Sequence, residues 1–176
     1  MSCNNLSSLI KNIESGNARE YLFFWDQKNL DTACYSQWYP SRFVIDDIWY
    51  GNAEQYMMAA KARLFNDQEA LQKILASTSP REMKSIGRSI KNFDQDIWLQ
   101  MRERIVFDAN MAKFSQNEEL KKKLLDTKDK ILVEASPVDF IWGIGLHETN
   151  PDAQDPRKWK GLNLLGFTLM RVRDSL

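Results

Sequence analysis

The hydrophobic positions along this chain change period several times, and each change marks an element. The run Tyr21-Leu22-Phe23-Phe24-Trp25 is short and aromatic and reads as a strand. Residues 42–50 predict a small hairpin that turns at Asp46-Asp47, with Phe43 and Val44 facing Ile48 and Trp49. Helical patterns follow. Asn52 caps a helix over 53–65, and Asn66 with Glu69 forms a capping box for a helix through residue 77. Ser79-Pro80-Arg81-Glu82 supplies a cap, a first-turn proline and an acid at the third position of a short helix that Gly87 stops. Asp94 opens a long helix whose inward stripe is Ile97, Trp98, Met101, Ile105, Ala109 and Ala112. Asn117 opens another, with Leu120, Leu124 and Leu125 inward. Ile131 to Val133 is a β-type run that enters a turn at Ser136-Pro137. Asp155-Pro156 opens the last helix, with Trp159, Leu162, Leu165, Leu169 and Met170 on one side. The predicted class is α+β, mainly α-helical with a few short β-strands. A single compact domain is expected over 1–176, with residues 1–18 as a mobile or helical N-terminal extension.

Composition narrows the classes of function. The chain has 176 residues, 43% of them hydrophobic and 27% charged, which suits one globular domain with a sizeable core. Lys+Arg and Asp+Glu are both 24, so no bulk field draws the chain to nucleic acid or to an anionic membrane. No apolar stretch approaches the roughly 20 residues that span a bilayer, and the first residues do not read as a secretory signal. Cys3 and Cys34 have neither metal spacing nor the look of a disulfide framework, which fits a reducing, cytoplasmic setting. One histidine, His147, leaves little material for a His-rich metal site or a Ser-His-Asp triad, and no Walker or GxGxxG loop is present. No metal and no cofactor are therefore expected. Six Trp, five Tyr and nine Phe suit a site that stacks on flat rings.

Two stretches carry candidate chemistry. In 132–146 an acid and an indole, Asp139 and Trp142, precede Gly143 and Gly145, where the backbone can come close to a planar, polar ligand. The plain alternative makes Asp139 a turn acid that caps the following segment. In the helix after the hairpin, Glu54 lies in the first turn, where the helix dipole favours its ionised form, and Lys61 follows two turns later on the same face. The plain alternative there is a dipole-matched acid and a solvated lysine.

Further elements recur in one order: Tyr35-Ser36-Gln37-Trp38-Tyr39-Pro40-Ser41 with Phe43, Ala53-Glu54-Gln55-Tyr56 with Lys61-Ala62, Lys84 with Gly87-Arg88, then Trp98. Ala112-Lys113-Phe114 with Gln116-Asn117, the 132–145 stretch, and Asn163 to Gly166 with Leu169 to Arg173 complete the series. From about Phe23 to the end, the chain resembles the NADAR family, also called YbiA-like, named for a link to NAD and ADP-ribose. It departs from the family pattern at Ala33, where a glycine is usual, at Gln37, where many members have Asn, and at Gln55, where many have His. The last removes a histidine proton carrier.

The resemblance implies a YbiA-like fold and hydrolysis of the ribose C1–N bond. It implies a small-molecule substrate of ADP-ribose-like or phosphoribosyl type, either a phosphoribosylaminopyrimidine of riboflavin synthesis or ADP-ribose attached to guanine in nucleic acid. Cleavage passes through an oxocarbenium-like ion, so a carboxylate near C1 and a second acid–base group are needed. Glu54 and Asp139 are cast in those roles, unranked. Lys61 offers another route, amine attack on C1 with ring opening to an imine; it needs a lowered lysine pKa, which a close Glu54 would oppose. Trp98 and Trp142 are cast to stack the base, although Trp98 on an inward stripe equally suits a core. Gly143 brings backbone close to the ligand, Lys84 and Arg88 clamp phosphate if their helix continues through Gly87, and Gln37, Trp38, Tyr56 and Asn163 complete the substrate contacts. Arg173 and His147 are weaker candidates, Glu134 is read as structural support, and 148–160 as a loop over the site. Two other readings stand beside this one. A non-catalytic ADP-ribose/NAD-binding sensor would not need both acids, and a purely structural helical protein would not need Asp139-Trp142-Gly143.

Overall fold

Asn5 caps the first helix. Its side chain accepts the Ser8 N–H at 2.8 Å while the Ser8 hydroxyl reaches back to the Asn5 backbone, and this reciprocal cap starts α1 (Leu6–Glu14). The N-terminal extension is thus helical over those residues. The computed structural model describes residues 4–26 and 28–176; Cys3 lies outside them. The chain divides into two compact units, Met1–Ser36 with Lys122–Leu176, and Gln37–Lys121.

In the first unit, β1 (Tyr21–Phe24) pairs in parallel with β4 (Ile131–Glu134), Tyr21 opposite Ile131 and Phe24 opposite Glu134. Ile131, Leu132 and Val133 are all buried, as expected of a short parallel strand covered on both faces. Helix α7 (Leu164–Ser175) packs on β4. Its N-cap, Asn163, is completely buried and adopts the left-handed conformation at φ 53°. The Asn163 amide accepts the Glu134 N–H at 3.0 Å and donates to the Leu132 carbonyl at 2.9 Å. It therefore acts as a one-residue strand partner for the free edge of β4. Asn163→Ala removes both bonds, strands two buried backbone groups and leaves an alanine in a conformation that asparagine tolerates better. The expected loss is about 2–4 kcal/mol, read as a lower urea midpoint with unchanged m.

In the second unit, β2 (Phe43–Ile45) and β3 (Ile48–Tyr50) form the expected hairpin, with Asp46 and Asp47 both at positive φ in the turn. The register places Phe43 opposite Tyr50 and Val44 opposite Trp49. Helix α2 (Ala53–Leu64) packs against α3 (Gln68–Ala76), α4 (Pro80–Arg88) and α5 (Gln95–Ser115). Its small and flexible residues, Ala53, Met57, Met58, Ala59 and Ala62, are buried on several sides. The unit boundary falls within α6 (Glu118–Leu125). The class is α+β and mainly helical, as the pattern predicts.

Several expectations need correction. Gly87 does not stop α4: it lies inside the helix, buried, where any Cβ would collide with the Met58 side chain of α2. The glycine serves close helix packing rather than termination, and α4 continues through it to Arg88. The cap of α3 is Asp67, not Asn66, which takes φ 56° as the residue that ends α2. Leu125 is 40% exposed; only Leu124 of the α6 leucines is buried. Asp155-Pro156 opens only a three-residue 3-10 turn, because Trp159 is extended and the chain must pass Gly161 and left-handed Asn163 before α7 begins at Leu164. Leu162 is accordingly 44% exposed and off the helix. Finally, Ile97 and Met101 are 43% and 39% exposed, so the first half of the α5 stripe is not core. Burial begins at Ile105.

Candidate functional site

The second unit gathers most of the candidate groups around α2. Asn52 caps the helix by accepting the Gln55 N–H at 2.9 Å. Glu54 therefore falls in the first turn, only 2% exposed, and its backbone N–H donates to the Gln37 carbonyl at 3.0 Å. The dipoles of a helix start favour a carboxylate at that place, and burial opposes its charge. Seven residues on, about 10 Å along the helix axis, Lys61 is half-buried. Its Nζ donates to the Gly87 carbonyl at 2.7 Å and lies 4.3 Å from the Phe93 ring centroid and 5.3 Å from that of Trp98. Gly87 sits in the last turn of α4, whose carbonyls lack helical partners, so the lysine fills an otherwise open acceptor. Burial nevertheless pushes the Lys61 ammonium below the usual lysine pKa.

Trp98 is half-buried and faces Lys61 rather than the core. Since α4 runs through Gly87, Lys84 and Arg88 do share a helix face; Lys84 is half-buried and Arg88 exposed. Phe93 reaches Lys61 from the connection between α4 and α5, which buried Asp67 anchors. One Asp67 carboxylate oxygen accepts the Lys91 N–H at 2.9 Å and the other caps α3 through the Ala70 N–H at 3.0 Å. These two bonds, the Lys91 one first, hold the Asp67 carboxyl below its ordinary pKa. A carboxyl depressed in the folded state stabilises above its unfolded value, about 3.9, and that contribution is lost as pH falls through the folded value. Asp67→Asn keeps the cap and loses the Lys91 acceptor. Its Tm is expected to lie a few degrees below wild type at pH 7, and the gap to close below about pH 4 in paired thermal melts.

Gln37 is buried, and its side-chain oxygen accepts the Asn110 amide at 2.8 Å. Trp38 is half-buried. Tyr56 stacks edge-on against Tyr50, with ring centroids 5.1 Å apart, and so belongs to the hairpin side of α2. Gln55, which replaces the usual histidine, is structural: its amide donates to the Ile74, Leu75 and Ser77 carbonyls and closes the end of α3. Two groups on α5 to which the sequence assigns no role, Asn110 and Lys113 (the latter quoted only within the Ala112-Lys113-Phe114 element), are both completely buried. Lys113 Nζ lies 5.1 Å from the Phe114 ring and 5.7 Å from the Tyr39 ring. Their signal was an amide and an amine three residues apart inside an apolar helical stripe.

In the first unit, Asp139, Trp142, Gly143 and Asn163 belong to one tight loop. One Asp139 carboxylate oxygen accepts the Ile141 and Trp142 N–H groups at 3.0 and 2.8 Å, the geometry of a capping turn. The first residues of α7 donate to this loop as well: Asn163 to the Gly143 carbonyl, Leu164 to Ile141 and Leu165 to Trp142, at 3.1–3.2 Å. Gly143 is buried, and a Cβ there would lie 2.8 Å from the Glu134 carbonyl oxygen. The glycine thus permits backbone-on-backbone packing, and Trp142 is left half-buried at the turn. Arg173 is buried and donates to Thr127 Oγ1 and the Lys130 carbonyl, both at 2.9 Å. His147 pairs with Thr149 at 2.9 Å. Residues 148–160 form two 3-10 turns closed by the Trp159 indole N–H on the Ala153 carbonyl at 2.8 Å. Cys34 is buried. Among the described residues no group of three His, Cys, Asp or Glu is arranged for a metal ion, and no helix is long and apolar enough to cross a membrane.

An acid at a buried helix start, with a ring-flanked amine of lowered basicity two turns along the same helix, suits bond cleavage at a sugar carbon, the chemistry of glycosyl hydrolases. Comparison with known proteins is more specific. Residues 23–176 match the NADAR domain, and the chain belongs to that family. It is 41% identical over 163 residues to an N-glycosidase of Acanthamoeba polyphaga mimivirus, an alignment that covers 89% of this chain and 96% of that one. Against the N-glycosidase YbiA of Escherichia coli the identity is 31% over 132 residues, 75% of this chain and 74% of that one. The NMR structure of E. coli YbiA superposes with a TM-score of 0.73 at 26% identity, covering 90% of this chain and 86% of that one. A chloroplastic riboflavin biosynthesis protein, PYRR of Arabidopsis thaliana, is 35% identical over 111 residues, 61% of this chain but 17% of its own length.

Proposed function

We propose that this chain hydrolyses the ribose C1–N bond of a base-linked ADP-ribosyl or phosphoribosyl compound. The coarser statement, an N-glycosyl hydrolase, follows from family membership and from relatives named N-glycosidases. The finer one names two substrates with a shared core: ADP-ribosylated guanine in nucleic acid, and the phosphoribosylaminopyrimidine of riboflavin synthesis. The observation that carries it is the Lys61 cluster, in which an amine of lowered basicity lies under Phe93 and Trp98 on the helix that also bears Glu54.

In this mechanism the C1–N bond breaks with its electron pair leaving on the base, which takes a proton. Glu54 carries negative charge toward the cation that develops at C1 and accepts the proton of the attacking nucleophile, while the departing base takes its proton from solvent or from a second acid–base group. Either water or neutral Lys61 then adds to C1. In the second case the ring C1–O bond opens to a hydroxyl, an imine forms, and water hydrolyses it to release the sugar and restore the amine. Trp98 stacks the base, and Lys84 and Arg88 hold phosphate. In the second unit Trp38 and Tyr56 support the substrate contacts, with Gln37 behind Glu54; in the first unit Trp142 is kept as a stacking candidate and Asp139 as an acid candidate.

The test offers purified protein an ADP-ribosylated guanine oligonucleotide and a ribosylaminopyrimidine phosphate in parallel, with released base and sugar followed by mass spectrometry. Cleavage of one over the other fixes the substrate class. Binding of ADP-ribose without cleavage of either replaces the enzyme reading with that of a sensor.

A further inference from the structure

We infer that Asn110 is a positioning residue for the reaction, and that it acts on Glu54 through Gln37. This rests on the catalytic role proposed above for Glu54.

Asn110 is completely buried on α5, between Ala109 and the buried Ala112 and Lys113. An amide in such a stripe must be held by hydrogen bonds. Its Nδ2 donates twice, to the Val106 carbonyl of its own helix and to Gln37 Oε1, both at 2.8 Å. The first bond fixes the side-chain rotamer, and the second ties α5 to residue 37. Gln37 in turn accepts the Glu54 N–H on its main-chain carbonyl at 3.0 Å. The chain of contacts thus runs from α5 through one residue to the first turn of α2, where the carboxylate stands. The bond to Glu54 is a backbone bond, so a shift of residue 37 moves the turn that carries the acid rather than the acid's own rotamer.

A second observation separates this pair from ordinary structural packing. Two amides side by side have the donors and acceptors for two reciprocal bonds. Here only one is made. Gln37 Nε2 and Asn110 Oδ1 are both buried and meet no hydrogen-bond partner among the described residues. Native folds leave few such groups, and a catalytic role is one of the reasons for which they are kept.

The experiment is a double-mutant cycle on whichever of the two substrates is cleaved. Asn110→Leu and Gln37→Met each remove the side-chain bond, and Gln37→Met leaves the main-chain carbonyl that holds Glu54. Each single variant is expected to lower kcat by about 10–100-fold, since small misplacements of a catalytic group have effects of that size. KM should change less than about 3-fold, and the double variant should be no worse than the poorer single one. Additive losses, or a rise in KM with kcat unchanged, overturn the inference. If Asn110→Leu does not fold, Gln37→Met with its kcat and KM decides alone. Glu54→Gln runs beside them. If it retains full activity, the catalytic reading of Glu54 fails; if it is inactive while Asn110→Leu and Gln37→Met are not impaired, only the positioning role fails.

Discussion

Glu54→Gln is expected to lower kcat by about 10²–10⁴, the usual range for loss of a positioned acid–base group, with little change in fold. The substitution keeps the shape of the side chain and its place in the first turn of α2. It removes the charge that the helix start favours and that a developing cation at C1 needs. Because Glu54 is only 2% exposed, a neutral glutamine there does not add a desolvated charge, and stability should hold or rise slightly. The measurement is single-turnover release of base by wild type and variant at equal protein concentration, beside thermal melts of both. An unchanged rate with an unchanged melt would remove Glu54 from the chemistry and leave the acid–base role to another group. A lost rate with a collapsed melt would make the residue structural, a result that Glu54→Ala could not distinguish.

Much of this site was legible in the chain because its local signals are of one kind: a capping side chain next to a periodic run. Asn52, Ser79 and Asp94 each accept backbone N–H groups of the helices they open. Glu54 and Lys61 follow from the first of these by counting residues along α2. The hairpin turn was equally clear, since two aspartates tolerate the positive φ that a tight turn needs. The misreadings share a cause as well. Gly87 carries a true stop signal, but its lack of a side chain is used against Met58, a contact 29 residues away that no local rule contains. Pro156 carries a true start signal, used for one 3-10 turn because left-handed Asn163 and its bonds to β4 decide where α7 begins. The stripe on α5 was read as uniformly inward, yet nothing in its periodicity says that cover begins only at Ile105. That last error concealed a contact: Trp98 is half-buried and set against Lys61, 5.3 Å from its Nζ to the ring centroid. Asn110 and Lys113 were hidden for the opposite reason. Polar residues within an apolar stripe look like noise until the partners that hold them are known.

Lys61 decides between the two chemical routes. An amine nucleophile needs a depressed pKa, and a close Glu54 was expected to oppose that. The shift is downward, and burial is its cause. The Gly87 carbonyl and the two rings favour the ammonium, so burial prevails over groups that pull the other way. Lys61→Arg keeps a cation beside the rings but supplies no usable nucleophile, since a guanidinium does not deprotonate near neutral pH. If the imine route operates, this variant should lose activity by at least about 10²-fold, comparable to loss of Glu54. Wild type incubated with substrate and sodium cyanoborohydride should also gain a sugar-sized mass on the peptide that contains Lys61, and the variant should not. The route also fixes the sign of the pH dependence. The reactive form is the neutral amine, so the trapped fraction should rise with pH and level off below the ordinary lysine value. Retained activity in Lys61→Arg, without a trapped adduct in wild type, assigns attack on C1 to water. The lysine then has a single role, holding positive charge over Phe93 and Trp98 at the end of α4.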